Sequence, residues 1–86
     1  MTQFAITRAR DQLGQAYGLG RPLHAAELGR LLGCERRDPG ASVLDWENGK
    51  RAISGAVAVA IGALLAGYRP PGFYQVIPPM KGVADA

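Results

Sequence analysis

Residues 23–51 read LHAAELGRLLGCERRDPGASVLDWENGKR, and their punctuation divides them into two short helices joined by a turn. The first helix is expected over 25–32, with Leu28, Leu31 and Leu32 on one face. Glu27 stands three residues after His24, the N3 place of a capping box whose cap is usually Ser or Thr, so His24 reads as a solvent-facing or capping side chain rather than a metal ligand. Gly33 ends this helix, and Asp38-Pro39 starts the next, since Asp caps free amides and Pro at the first helical position needs no hydrogen-bond partner. Asn48-Gly49 is the stop, giving a helix over 39–47. Val43, Trp46 and Glu47 share one of its faces, so Leu28, Leu31 and Leu32 can meet Val43 and Trp46 across the turn, while Leu23 staples the entry. Gly29 lets the two helices approach closely, at a cost of about 1 kcal/mol in helix propensity. Cys34 reads as a small buried hydrophobe rather than a redox sensor.

Outward from this centre, Thr2 caps a helix over QFAITRARDQLGQAY, in which Phe4, Ala9, Leu13 and Ala16 or Tyr17 recur at helical spacing. Gly18, Gly20 and Pro22 break it. On the other side Ser54 caps a fourth helix over about 55–66, closed by Gly67. After Tyr68 the chain reads RPPGFYQVIPPMKGVADA, whose two Pro-Pro pairs predict an extended arm in which Phe73, Tyr74, Val76 and Ile77 pack or pair as a short strand.

The whole chain has 86 residues, room for one core but not two. Apolar residues are 48% and charged residues 20% of it, the balance of a folded domain. Its net charge of +3 permits a polyanionic partner without demanding one. One cysteine and one histidine exclude a disulfide framework and a cysteine-rich zinc site, and nothing near either resembles a nucleophile motif. The expectation is therefore a protein that is not an enzyme, with no metal and no cofactor. The N-terminus lacks the apolar run of a secretory signal. Between Arg51 and Arg69 lie 17 uncharged residues, AISGAVAVAIGALLAGY, or ~25 Å of helix against a hydrocarbon core of ~30 Å. A core helix in a cytoplasmic protein is expected there, not a membrane span.

The series LHAAELGRLLGC, SVLDWENGKR and AVAVAIGALLAGYRP resembles the Cro/repressor-like helix-turn-helix family, also called the XRE family. That family's pattern is Leu-(Ser/Thr)-Gln-x-Glu-Leu-Ala-x-x-Leu-Gly-Val, then (Ile/Val)-x-x-Trp-Glu-x-Gly, then a helix rich in Ala, Val and Leu. The resemblance covers about residues 23–69 and is densest at Val43, Trp46, Glu47, Asn48, Gly49 and Lys50 after Leu32-Gly33. It implies an all-α fold, a small four- to five-helix repressor-like domain over 1–69, with 70–86 as the Pro-rich arm. It also implies a sequence-specific regulator, a homodimeric repressor on an inverted-repeat operator, of the kind found in phages and mobile elements. Glu47 sits at a family position that pairs with an Arg of the first helix, and Arg8 and Arg10 are both candidates.

The chain departs from the pattern in two places. Ala25 stands where the family places a phosphate-binding Gln, so that contact does not carry over. The connection after Gly33 is about four residues longer and brings Arg36 and Arg37 to the mouth of helix 39–47. The DNA-binding set read from this helix and its ends is Arg36, Arg37, Gly40, Ala41, Ser42, Leu44, Asp45, Asn48, Lys50 and Arg51. The Arg residues reach phosphate or a base edge, Ser42 donates or accepts, Ala41 and Leu44 touch thymine methyls, and Lys50 and Arg51 grip the backbone. Over residues 30–51, five cations against four acids leave only +1. The alternative is a protein-interaction module, antitoxin-like or a phage accessory protein, that keeps the fold without DNA readout.

In the fourth helix Val57, Ala60, Ile61 and Leu64 form the stripe that faces the core. Ala56, Val59, Ala63 and Ala66 are apolar on the other side, so a partner helix is expected to cover them, with Phe73, Tyr74 and Val76 of the arm sealing a homodimer. The arm folding back within one subunit is the other possibility. The partners expected are thus double-stranded DNA and a second copy, with no membrane and no small-molecule ligand.

Overall fold

The computed structural model describes residues 2–34 and 37–78, and among them every regular element is a helix. They are α1 (Gln3–Ala16), α2 (Ala25–Leu31), α3 (Pro39–Glu47), α4 (Gly55–Leu65) and the single turn α5 (Phe73–Val76). The caps account for the boundaries. The hydroxyls of Thr2 and Ser54 accept from the Ala5 and Val57 amides at the starts of α1 and α4. Asp38 accepts from the Gly40 amide at 3.1 Å and Pro39 opens α3. Glu27 accepts from the His24 amide at 2.8 Å, pinning the start of α2.

The four longer helices end alike. The amide two residues beyond the C-cap returns to the carbonyl three residues before it, as from Cys34 to Gly29 and from Lys50 to Asp45, both at 2.9 Å. The intervening residue must take a left-handed conformation, and Gly33 (φ 83°) and Gly49 (φ 74°) supply it.

Ile6, Ala9 and Leu13 of α1, Leu23, Leu28 and Leu31 beside and within α2, Val43 and Trp46 of α3, and Ile61 and Leu64 of α4 form one core, closed by Phe73 and Ile77. α3 packs on both α2 and α1, α4 packs on α1, and α5 packs on α2. After α1 the chain doubles back along it, with the Leu23 amide on the Arg10 carbonyl at 3.0 Å.

Two expectations are corrected. Phe4 is 74% exposed, and Ile6 takes the core place instead. Ile6, Ala9 and Leu13 lie at i, i+3 and i+7, and Phe4 is two positions out of that register. The arm is also not extended where it is described. Pro70, Pro71 and Gly72 make a turn, with the Phe73 amide on the Pro70 carbonyl, and α5 follows. Phe73 and Ile77, one helical turn apart, drop into the core of the same chain, and Phe73 meets the Tyr17 ring edge-on at 4.9 Å. Arg69 lies over the Phe73 ring at 4.7 Å and donates to the Tyr74 hydroxyl at 2.9 Å. Residues 79–86 of the expected arm lie outside the described residues.

No helix among the described residues is long and apolar enough to cross a membrane.

Candidate nucleic-acid interface

α2 and α3 cross at backbone contact. A Cβ on Gly29 would stand 2.1 Å from the Pro39 carbonyl oxygen, and one on Gly40 would stand 2.9 Å from the Ala26 nitrogen. Each helix thus presents a glycine where the other's backbone passes, and no methyl group fits at Gly29. This crossing buries the first turn of α3, with Pro39, Gly40, Ser42 and Val43 all inside.

The far end of α3 is tied to α1. The Arg10 guanidinium meets one oxygen of the Glu47 carboxylate at 2.5 Å, and the Thr7 hydroxyl donates to the other at 2.7 Å. Arg10 also donates through Nε to the Leu23 carbonyl at 2.8 Å, so one side chain joins α1, the entry of α2 and the last turn of α3. Of the two candidate partners for Glu47, the structure selects Arg10. Thr7 was not foreseen, although its spacing of three from Arg10 puts both on one helical face.

A second tie fixes the start of α2. Arg21 donates to both oxygens of Glu27, at 2.9 and 3.2 Å. Burial alone would raise the Glu27 carboxyl, but the hydrogen bonds from Arg21 and the His24 amide, with the nearby positive charge, hold it below the usual carboxylate range.

With α3 held at both ends, its outward side consists of Leu44 and Asn48, both exposed, beside the half-buried Ala41 and Asp45. Arg37 before the helix and Lys50 and Arg51 after it are exposed, as is Arg30 of α2. None of these four cations is in an ion pair among the described residues, whereas Arg10 and Arg21 are spent on Glu47 and Glu27. Arg36 lies outside the described residues.

Two members of the expected DNA-binding set are misplaced. Ser42 is only 4% exposed and faces inward, and Gly40 lies against α2. The signal was in the sequence, since Pro39, Ser42, Val43 and Trp46 fall at i, i+3, i+4 and i+7 and form one inside face. Of the expected dimer set, Ala56, Val59, Ala66 and Tyr74 are exposed and Ala63 and Val76 are half-buried, but Phe73 is buried in its own core. Cys34 is half-buried at the end of α2. Among the described residues no three His, Cys, Asp or Glu side chains cluster as a metal site would require.

In comparisons with known proteins, no family model, no curated protein and no solved structure matches this chain.

Proposed function

We propose that the protein is a sequence-specific DNA-binding regulator, a homodimeric repressor that sets α3 of each subunit into the major groove of an inverted-repeat operator. The observation that carries this reading is the framing of α3: an exposed side with uncommitted cations beyond both ends. A helix is about 10–12 Å across with its side chains, which a major groove ~12 Å wide admits, and Arg37 before α3 with Lys50 and Arg51 after it would then be available to the phosphates near its two ends. The family resemblance over residues 23–69 supports the same placement, with α2 and α3 as the helix-turn-helix. Repression rather than activation follows the commonest use of such short domains.

With Ser42 turned inward, base reading falls to Ala41, Leu44, Asp45 and Asn48, assisted by Arg37. Leu44 and Ala41 suit thymine methyls, Asn48 suits adenine, and Asp45 accepts from cytosine. Phosphate attraction then supplies most of the affinity, and binding weakens steeply with salt.

One observation favours a second reading. Leu44, 47% exposed at the middle of the outward side, with a carboxylate next to it, also suits a protein surface. A gel-shift series on the DNA upstream of the gene, run from low to high salt, separates the two. In the DNA reading, log K falls linearly with log salt, and Lys50→Ala weakens all sequences equally and lowers the slope by about one per subunit. A protein that shifts no duplex even at low salt is an interaction module instead.

A further inference from the structure

We propose that the corner formed by Arg69 and Tyr74 is a docking point for a carboxylate, and that its occupant is an aspartate or glutamate side chain on an acidic segment of a partner protein. The inference concerns a surface apart from α3, stands or falls independently of DNA binding, and takes Tyr74 out of the expected dimer set.

The corner is built before any partner arrives. Arg69 precedes Pro70, which biases its backbone toward extended conformations, and both Pro70 and Pro71 have a fixed φ. Just beyond them Phe73 is buried and anchors α5. The guanidinium carbon of Arg69 lies 4.7 Å from the centre of the Phe73 ring, 5.7 Å from that of Tyr17 and 5.8 Å from that of Tyr74, so three rings hold one cation. Nη1 of Arg69 also donates to the Tyr74 hydroxyl at 2.9 Å. A cation held in this way has little side-chain freedom left to lose when a ligand binds.

The cation is also unspent. A guanidinium has five N–H donors, and Tyr74 takes one of them. Arg69 is in no ion pair among the described residues. The chain has no Asp or Glu from 48 through 84, and Glu27 of α2, on which α5 packs, is tied to Arg21. Arg69 and Tyr74 are both exposed. The Tyr74 hydroxyl accepts from Arg69 and so keeps its own proton to donate, and a hydroxyl polarised by a cation is the stronger donor for it. A carboxylate set against this pair accepts from the guanidinium with one oxygen and from the hydroxyl with the other. The exposed Tyr74 ring supplies apolar surface beside the charge, and Tyr and Arg are the residue types that carry most of the affinity in protein interfaces.

Position assigns the site to a protein carboxylate rather than a duplex phosphate. Lys50 and Arg51 precede α4 and Arg69 follows it, so 11 helical residues, or ~16 Å, separate Arg69 from the cations beside α3.

The test titrates the full-length chain, without DNA, with N-acetyl-L-glutamic acid α-amide, whose side-chain carboxylate is its only charge, and follows amide and Arg Nε–H signals by NMR. The Arg69 Nε–H and the Tyr74 and Gln75 amides should shift saturably, with a Kd of about 1–20 mM. The neutral N-acetyl-L-glutamine amide should bind at least about tenfold more weakly. Tyr74→Phe keeps the ring and removes the hydroxyl, and should weaken binding about fivefold with the melting temperature unchanged. Arg69→Lys keeps the charge but loses the fork, and should weaken it about tenfold. No saturable shift up to ~100 mM, an equal response to the neutral amide, or an unaffected Tyr74→Phe overturns the proposal. So does tighter binding of inorganic phosphate, which would assign the corner to nucleic acid. Signals of residues 69–76 that move with protein concentration alone would assign it to a second copy and overturn it as well. A chain that binds the carboxylate but no duplex sinks the DNA reading and leaves this inference standing, and the opposite pair of results does the reverse.

Discussion

α3 and α4 are both short, both glycine-containing and both core-forming on one side, yet they use their glycines in opposite ways. At the crossing of α2 and α3 the chain fills its own space so closely that a Cβ on Gly40 would stand 2.9 Å from the Ala26 nitrogen of α2, and the Pro39 carbonyl of α3 occupies the place of a methyl on Gly29 of α2. Along α4 the equivalent space at Gly55 and Gly62 is open. The outward sides differ as well, since cations frame α3 while α4 carries none between Arg51 and Arg69. A glycine is thus informative only with its surroundings: one records a contact made within the chain, and the other stands at open surface.

The contrast is broken most strongly at Gly29. Gly29→Ala gains up to about 1 kcal/mol of helix propensity but drives a methyl into backbone, so a net loss of about 2 kcal/mol is expected in urea unfolding. A variant as stable as the wild type would mean that α2 and α3 separate freely, and the distinction between the two helices would collapse.

The next largest effect concerns what holds α3 in place. Arg10→Met leaves the Glu47 carboxylate, only 14% exposed, without its cation and should cost about 1–2 kcal/mol. Arg8→Met, at an exposed position outside the tie, should stay within about 0.5 kcal/mol. Equal losses from the two arginines would show that the tie contributes nothing beyond surface charge.

Gly62→Ala sharpens the comparison with the opposite sign. In dilute protein, where only the subunit's own stability is measured, it should raise stability by about 0.5–1 kcal/mol in thermal melts. Destabilisation there would mean that the α4 face is already occupied within the subunit.

The smallest effect is on pH. The folded Glu27 carboxyl lies below its ordinary value of 4.5, so its stabilising contribution is present above that value and is lost as pH falls through the folded one. Glu27→Gln should flatten this part of the acid limb of a stability–pH curve. A curve superimposable on the wild type would assign the acid sensitivity to other carboxylates.

The helices were legible because their ends carry explicit chemistry. Thr2, Asp38-Pro39 and Ser54 start helices by bonding free amides, and Gly33, Gly49 and Gly67 end them by going left-handed. What local signals could not convey was which side of each helix the rest of the chain would cover. Phe4 outranks Ile6 in size, but only Ile6 is in register with Ala9 and Leu13. Ser42 looked like a surface hydroxyl until its spacing to Val43 and Trp46 is taken as a face. The Pro-Pro signal at residues 70–71 rightly forbade a helix there. It said nothing of Phe73, whose burial against Tyr17 turns the next residues into α5. In the candidate site, the cations around α3 were legible from order alone. The choice of Arg10 over Arg8 depended on tertiary placement.

The tie at Glu47 also has a place in time. Arg10 and Thr7 wait for a residue that follows them by 37 and 40 positions. At translation rates of ~5–20 residues per second, α1 is finished roughly 1.5–6 s before the carboxylate that anchors it has been made. During that interval Ile6, Ala9 and Leu13 have no partner from α3 or α4, and an isolated helix of 14 residues is marginal in water. The last turn of α3 therefore sets the earliest moment at which α1 can be tied to the rest of the nascent chain, and Ile61, Leu64, Phe73 and Ile77 close the core only afterwards.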